Sequence, residues 1–213
     1  VVELFGAKPA TAAVVVEGPL VITEGVKRVF LAGSHYEIRV AARGVEMRSI
    51  DATSVRQQRK TYGRSVFSAR SITLGSSTPT IAVILKDSRR TYTGTIKFQP
   101  NSDGYLLIRN KTPLRDYVKS VVGSETNPDF KEEALKAQAV LTQTLLARYK
   151  QGDALSDTTE KQAYLGTAYV RPLVQRAVDS VLGRILTYKN LPATIYYHST
   201  CAGGTSLSLI HIS

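Results

Sequence analysis

Cysteine is almost missing from this chain. Cys201 is the single one among 213 residues, which excludes an internal disulfide and every cysteine-rich metal module. Long apolar runs are missing too: no stretch approaches the ~20 residues of a membrane span, and no basic-then-apolar signal segment opens the chain at Val1. An initiating Met is absent, so the chain reads as a fragment or a processed form. No helix-turn-helix, zinc-finger or aromatic-rich RNA motif accompanies its positive charge, which argues against a nucleic-acid partner. What is present is ordinary globular material, 43% apolar and 21% charged with 15 Gly and 8 Pro. A chain of this length can bury roughly 70% of its unfolded surface without staples.

Lys and Arg number 28 against 17 Asp and Glu, a net of +11, and such an excess calls for an anionic partner. The segment 51–90 concentrates it, with Arg56, Arg59, Lys60, Arg64, Arg70, Lys86, Arg89 and Arg90 against Asp51 and Asp87 alone. Two readings stand side by side: a basic face that docks a polyanion, and cations that keep strand edges from pairing.

The fold class read from the pattern is α+β. Residues 1–110 show short β-rich runs broken by Gly, Ser, Pro or Asp, and form a basic β-rich region. The clearest hairpin pairs Thr93 to Phe98 with Tyr105 to Ile108 across Asn101, Ser102, Asp103 and Gly104, residues that tolerate positive φ. Residues 111–206 read as a helical core with a terminal hairpin. Thr112 and Pro113 open a helix with Leu114, Tyr117, Val118, Val121 and Val122 on one face and Gly123 as its stop. A second helix is predicted from Pro128, with Asp129 and Glu132 at capping-box spacing, to about Lys150, its stripe made of Ala134, Ala137, Leu141 and Leu145. A third runs from Pro172 to Leu182 with Val174, Ala177, Val178 and Val181 inward and Gly183 at its end. Strands from Ile185 to Tyr188 and Ala193 to His198 then lead into the Gly-rich turn at Ser199 to Thr205, where a ligand can meet backbone N–H groups. Residues 207–213 read like the translation of a sequencing adapter, so they are expected to be a non-natural tail, with natural sequence lost beyond Thr205.

These segments, in this order, resemble the stage II sporulation protein D and amidase-enhancer family (SpoIID/LytB). The resemblance is carried by Leu114-Arg115-Asp116-Tyr117-Val118, Val121-Val122-Gly123-Ser124-Glu125 and the specific run from Glu133 to Val140, then by Asp157-Thr158-Thr159, Gln162-Ala163-Tyr164-Leu165-Gly166, Ala177-Val178 and Tyr197-His198-Ser199-Thr200-Cys201. It implies a bacterial, extracytoplasmic protein acting on peptidoglycan glycan strands, either as a lytic transglycosylase or as a non-catalytic partner that enhances a wall amidase, with anionic wall polymer as a further ligand for the basic region. It also implies that Glu125 is the catalytic acid. A lytic transglycosylase uses the sugar's own C6 hydroxyl as nucleophile, so one carboxyl serves as acid and then as base, where most glycosidases need two.

Other positions carry rival readings. Gln138 is expected to bond substrate or to satisfy backbone near Glu125, from the side of its helix opposite part of the apolar stripe. Gln162 and Tyr164 are read as glycan contacts, Tyr164 by stacking on a sugar face, or as anchors of their loop. His198, Ser199, Thr200, Cys201 and Gly203 line the sugar cleft in one reading; in the other, His198 ends a strand and Cys201 is a buried thiol. No base is seen beside Cys201 to make it a nucleophile. The sequence also departs from the family's pattern: Thr126-Asn127 replace Met-Pro, Gln143 replaces an Arg, Val181 a Thr, and Ala202 a Gly. Some family members bind zinc between the long helix and the Gln-Ala-Tyr segment; residues 150–161 here hold neither Cys nor His, so no metal site or cofactor is expected.

Overall fold

A computed structural model describes residues 1–4, 9, 11–15, 20–22, 29–30, 35–50, 64–76, 80–85, 88–150, 154–157 and 162–196. The first half is built of strands: β1 (Val2–Glu3), β2 (Thr11–Val15), β3 (Leu20–Ile22), β4 (Val29–Phe30), β5 (His35–Ala41), β6 (Gly44–Ile50), β7 (Ser65–Ala69), β8 (Ile72–Ser76), β9 (Ile81–Leu85), β10 (Ser88–Tyr92), β11 (Thr95–Pro100) and β12 (Leu106–Lys111). Three helices follow, α1 (Leu114–Glu125), α2 (Glu132–Leu146) and α3 (Pro172–Val181), with β13 (Leu155–Ser156) between α2 and α3, and β14 (Thr187–Tyr188) and β15 (Leu191–Pro192) at the end. No helix among the described residues is long and apolar enough to cross a membrane.

The strands form two larger sheets, one of seven in the order β13-β1-β12-β11-β8-β3-β4 and one of six in the order β10-β9-β2-β5-β6-β7. Alternation sets their inner faces. Ile38, Val45 and Met47 from one sheet and Ile72, Leu74, Ile96, Phe98, Leu106 and Ile108 from the other are fully or nearly fully buried, and they join the helices' apolar faces in one core. The expected hairpin is β11 and β12, paired from Thr95 and Lys111 to Pro100 and Leu106. Its loop closes on the Asn101 carboxamide, whose Oδ1 accepts the N–H groups of Asp103 (3.1 Å) and Tyr105 (2.8 Å).

The helical half needs several corrections. α1 continues through Gly123 to Glu125, because Gly123 is there for proximity and not as a stop: a Cβ at that position would run into the carbonyl oxygen of Tyr169. Thr112 does not cap α1; its hydroxyl bonds that of Thr93 at 2.8 Å. α2 begins at Glu132 without a side-chain cap, since Asn127 Oδ1, and not a capping box, accepts the Asp129 N–H. Its buried stripe is Leu135, Ala139, Thr142 and Gln143, while Ala134 and Ala137 face solvent. α3 buries Val174, Ala177, Val178 and Val181 as its period dictates, and Gly183 follows with φ +85°. The last hairpin is tighter than expected. Lys189 (φ 49°) and Asn190 (φ 62°) form a two-residue turn, which draws Tyr188 opposite Leu191. Residues 197–213, with the Gly-rich turn and the adapter-like tail, lie outside the described residues, as do Arg56, Arg59, Lys60 and Lys86 of the basic segment.

Candidate active site

Glu125 is the last residue of α1. The helix is fixed by Tyr117, Val118, Val121 and Val122 in the core, and by Ser120, whose hydroxyl donates to the Gly166 carbonyl at 2.6 Å. At Thr126 the chain turns extended, and the Thr126 hydroxyl donates back to the Val122 carbonyl, closing the helix end. The half-buried Glu125 side chain accepts a 2.6 Å hydrogen bond at Oε1 from the backbone N–H of Ala163. Oε2 makes no hydrogen bond among the described residues.

The segment that supplies this amide, residues 162–171, is pinned along its length. Gln162, 2% exposed, accepts at Oε1 from the Tyr117 hydroxyl (3.1 Å). The Tyr164 hydroxyl donates to Asn110 Oδ1 at 2.6 Å, and Asn110 Nδ2 donates in turn to the carbonyls of Thr93 and Thr95. The Thr167 N–H donates to the Thr91 carbonyl at 2.8 Å. Upstream, Asp157 is buried and paired with Arg90 at 2.8 Å, so one cation of the basic segment is spent on holding this region to β10. The sheet edge, α1 and the loop therefore converge behind Glu125.

The residues singled out from sequence fall into different places. Tyr164 is 1% exposed, its ring stacked on Tyr117 (centroids 5.1 Å apart) and beside Tyr92 (5.7 Å), so it stands as an anchor with neither face open to a sugar. Burial pushes the Tyr164 and Tyr92 phenols well above the ordinary tyrosine value. Gln162 lies next to the residue that holds Glu125, and its Nε2 is buried without a hydrogen-bond partner among the described residues. Gln138 sits one turn before fully buried Thr142 on the inward side of α2, not opposite it; Gln138 Nε2 and Thr142 Oγ1 are both buried and unpartnered among the described residues. Gln143, at the position of the family's Arg, is buried and ties α2 to the end of α3. It donates to the Ala139 and Val181 carbonyls (3.1 and 3.2 Å) and accepts from the Gly183 N–H at 2.6 Å. His198, Ser199, Thr200, Cys201 and Gly203 lie outside the described residues.

Two members of the arrangement were missed. Tyr117 reads from sequence only as an apolar helix position, with nothing to flag its hydroxyl. Asn110 carried a usable signal: it continues the inward phase of Leu106 and Ile108 on β12, and a polar residue in an inward register is committed to buried hydrogen bonds.

A stretch that contains Glu125, Gln138, Gln162 and Tyr164 matches the SpoIID family model, Stage II sporulation protein, over residues 102–188. Residues 102–188 are a SpoIID domain. The SpoIID match ends ahead of the Gly-rich turn. The chain is 37% identical over 135 residues to Stage II sporulation protein D of Bacillus subtilis, covering 52% of this chain and 39% of that one. It is 35% identical over 113 residues to Stage II sporulation protein D of Bacillus amyloliquefaciens, covering 44% and 33%. An uncharacterized protein of Brachyspira hyodysenteriae is 33% identical over 120 residues, covering 54% and 32%. The chain thus spans between 32% and 39% of the length of these curated relatives. No solved structure matches it.

Proposed function

We propose that this chain acts on the bacterial cell wall in sporulation, outside the cytoplasmic membrane, as a peptidoglycan lytic transglycosylase that uses Glu125 as acid and then base. Its SpoIID domain and its two Stage II sporulation protein D relatives support the wall and sporulation role. The observation that carries the chemistry is the asymmetric environment of the Glu125 carboxyl, with Oε1 held by the Ala163 amide and Oε2 left to exchange a proton. Glu125 Oε2 donates its proton to the leaving O4 of N-acetylglucosamine as the bond from C1 of N-acetylmuramic acid breaks. The C6 hydroxyl of the same N-acetylmuramic acid then closes on C1, and its proton returns to Glu125. The product is a 1,6-anhydro ring, no water is consumed, and the enzyme ends in its starting state. Gln162, 2% exposed and bonded to Tyr117, anchors the loop that carries the holding amide, while Gln138 and residues 198–203 are the proposed polar contacts to the glycan.

The test is incubation of purified glycan strands with the wild type and with Glu125→Gln, followed by mass spectrometry for 1,6-anhydromuramyl products. Product from the wild type with a loss of at least ~100-fold in the variant supports the reading. Equal product, or none from either protein, removes it. In the second case, acceleration of an added wall amidase by the wild type would identify the non-catalytic enhancer instead.

A further inference from the structure

With Tyr164 enclosed, any stacking on a sugar must come from other aromatic rings, and two half-exposed ones lie on segments that adjoin the end of α1. Phe130 lies on the link between α1 and α2 and is 45% exposed; Tyr169 lies on the loop before α3 and is 50% exposed. Both are on fixed backbone. The Phe130 N–H closes a turn on the Asn127 carbonyl (3.1 Å), only two residues past Glu125. Tyr169 is seated on α1 at Gly123, two residues before Glu125, so closely that no side chain fits between them. The two segments meet where Arg171 donates to the Asn127 carbonyl (3.4 Å). Among the described residues, neither ring packs on another aromatic and the Tyr169 hydroxyl makes no hydrogen bond.

A large apolar side chain left half open costs solvation, and a pair of them on rigid turns at the end of the helix that carries Glu125 fits the apolar C–H face of a pyranose ring. Aromatic side chains bring such contact area with little conformational entropy to lose. We propose that Phe130 and Tyr169 form an aromatic platform that stacks on N-acetylhexosamine rings and draws the glycan across the α1 terminus. This rests on the glycan reading of the site given above. It names two substrate-contact residues and moves the stacking role away from Tyr164.

Calorimetric titration with a peptide-free tetrasaccharide of alternating N-acetylglucosamine and N-acetylmuramic acid tests this, in a Glu125→Gln parent so that the ligand is not consumed. Tyr169→Ala and Phe130→Ala are each expected to weaken binding about tenfold, and Tyr169→Phe, which keeps the ring, to bind within about twofold of the parent. Both side chains are already half exposed, so the melting midpoint of each variant should match the parent's and separate lost contact from lost fold. Unchanged affinity in both Ala variants, with a parent that binds, overturns the platform and leaves the glycan reading standing. A parent that does not bind overturns the glycan reading itself.

Discussion

The carboxylate of Glu125 and the backbone amide of Ala163 are joined by a 2.6 Å hydrogen bond across 38 positions of sequence. The bond fixes one oxygen of the carboxyl and ties the end of α1 to the loop ahead of α3. Gln at this position keeps a carbonyl oxygen that can accept the same N–H, whereas Ala removes it. Glu125→Gln should therefore melt like the wild type while Glu125→Ala loses about 1 kcal/mol, the scale of one hydrogen bond to a partly buried amide. Thermal denaturation of the two variants side by side checks this, and equal losses would argue that the bond contributes nothing.

Gly123→Ala sets two effects against each other. Replacing Gly within a helix normally gains about 1 kcal/mol. Here the new methyl would overlap the Tyr169 carbonyl, and overpacking of this kind costs roughly 1–3 kcal/mol. The backbone oxygen has little freedom to retreat, because it also accepts the Arg171 N–H at 3.0 Å. The variant should be less stable by about 1–2 kcal/mol in urea denaturation, against the helix-propensity expectation.

Gln143→Leu should cost about 1–3 kcal/mol, because it leaves the Gly183 N–H without its acceptor at the end of α3. Hydrogen exchange at the Gly183 amide gives the local readout. Its protection should fall in the variant while amides in β11 and β12 keep theirs.

Alkaline pH should expose the tyrosine stack. Tyr92 and Tyr164 hold their protons in the folded chain above the ordinary tyrosine pKa of about 10, chiefly because burial disfavours the phenolate. The folded state then binds more protons than the unfolded one above that pH, so the stability that these groups contribute is complete below pH ~10 and is lost as pH rises further. The chain has no Trp, so phenolate absorbance can be followed without interference from indole. It should rise in two stages, the second coincident with loss of helical circular dichroism. A single stage completed while the fold persists would contradict the burial of these rings.

Much of this architecture was legible because periodicity and turn chemistry act locally. The α3 face, its Gly183 terminus and the β11–β12 hairpin follow from residues within a few positions of one another. Gly123 was misread for the opposite reason: a helix-stop glycine and a close-approach glycine look alike until the partner, Tyr169, is placed against it. The α2 face was misjudged because Ala134 and Ala137 are apolar by composition yet solvent-facing, while the buried face includes Thr142 and Gln143. Glu125 was found through a family pattern. The amide that holds it belongs to an alanine, whose side chain announces nothing.

The strand at the very start of the chain bears on how this protein can be cut. β1 lies between β12 and β13, antiparallel to the first and parallel to the second. The Val1 and Glu3 carbonyls accept the N–H groups of Leu155 (2.9 Å) and Asp157 (3.1 Å), while the Leu4 N–H donates to Ile108 (2.9 Å). A recombinant fragment trimmed to the family-matching residues 102–188 would strip this strand from the edge of β12, together with Arg90, the partner of Asp157. The loop that presents the Ala163 amide would then hang from an unpaired sheet edge, so a useful expression boundary has to keep β1, far outside the recognisable motif.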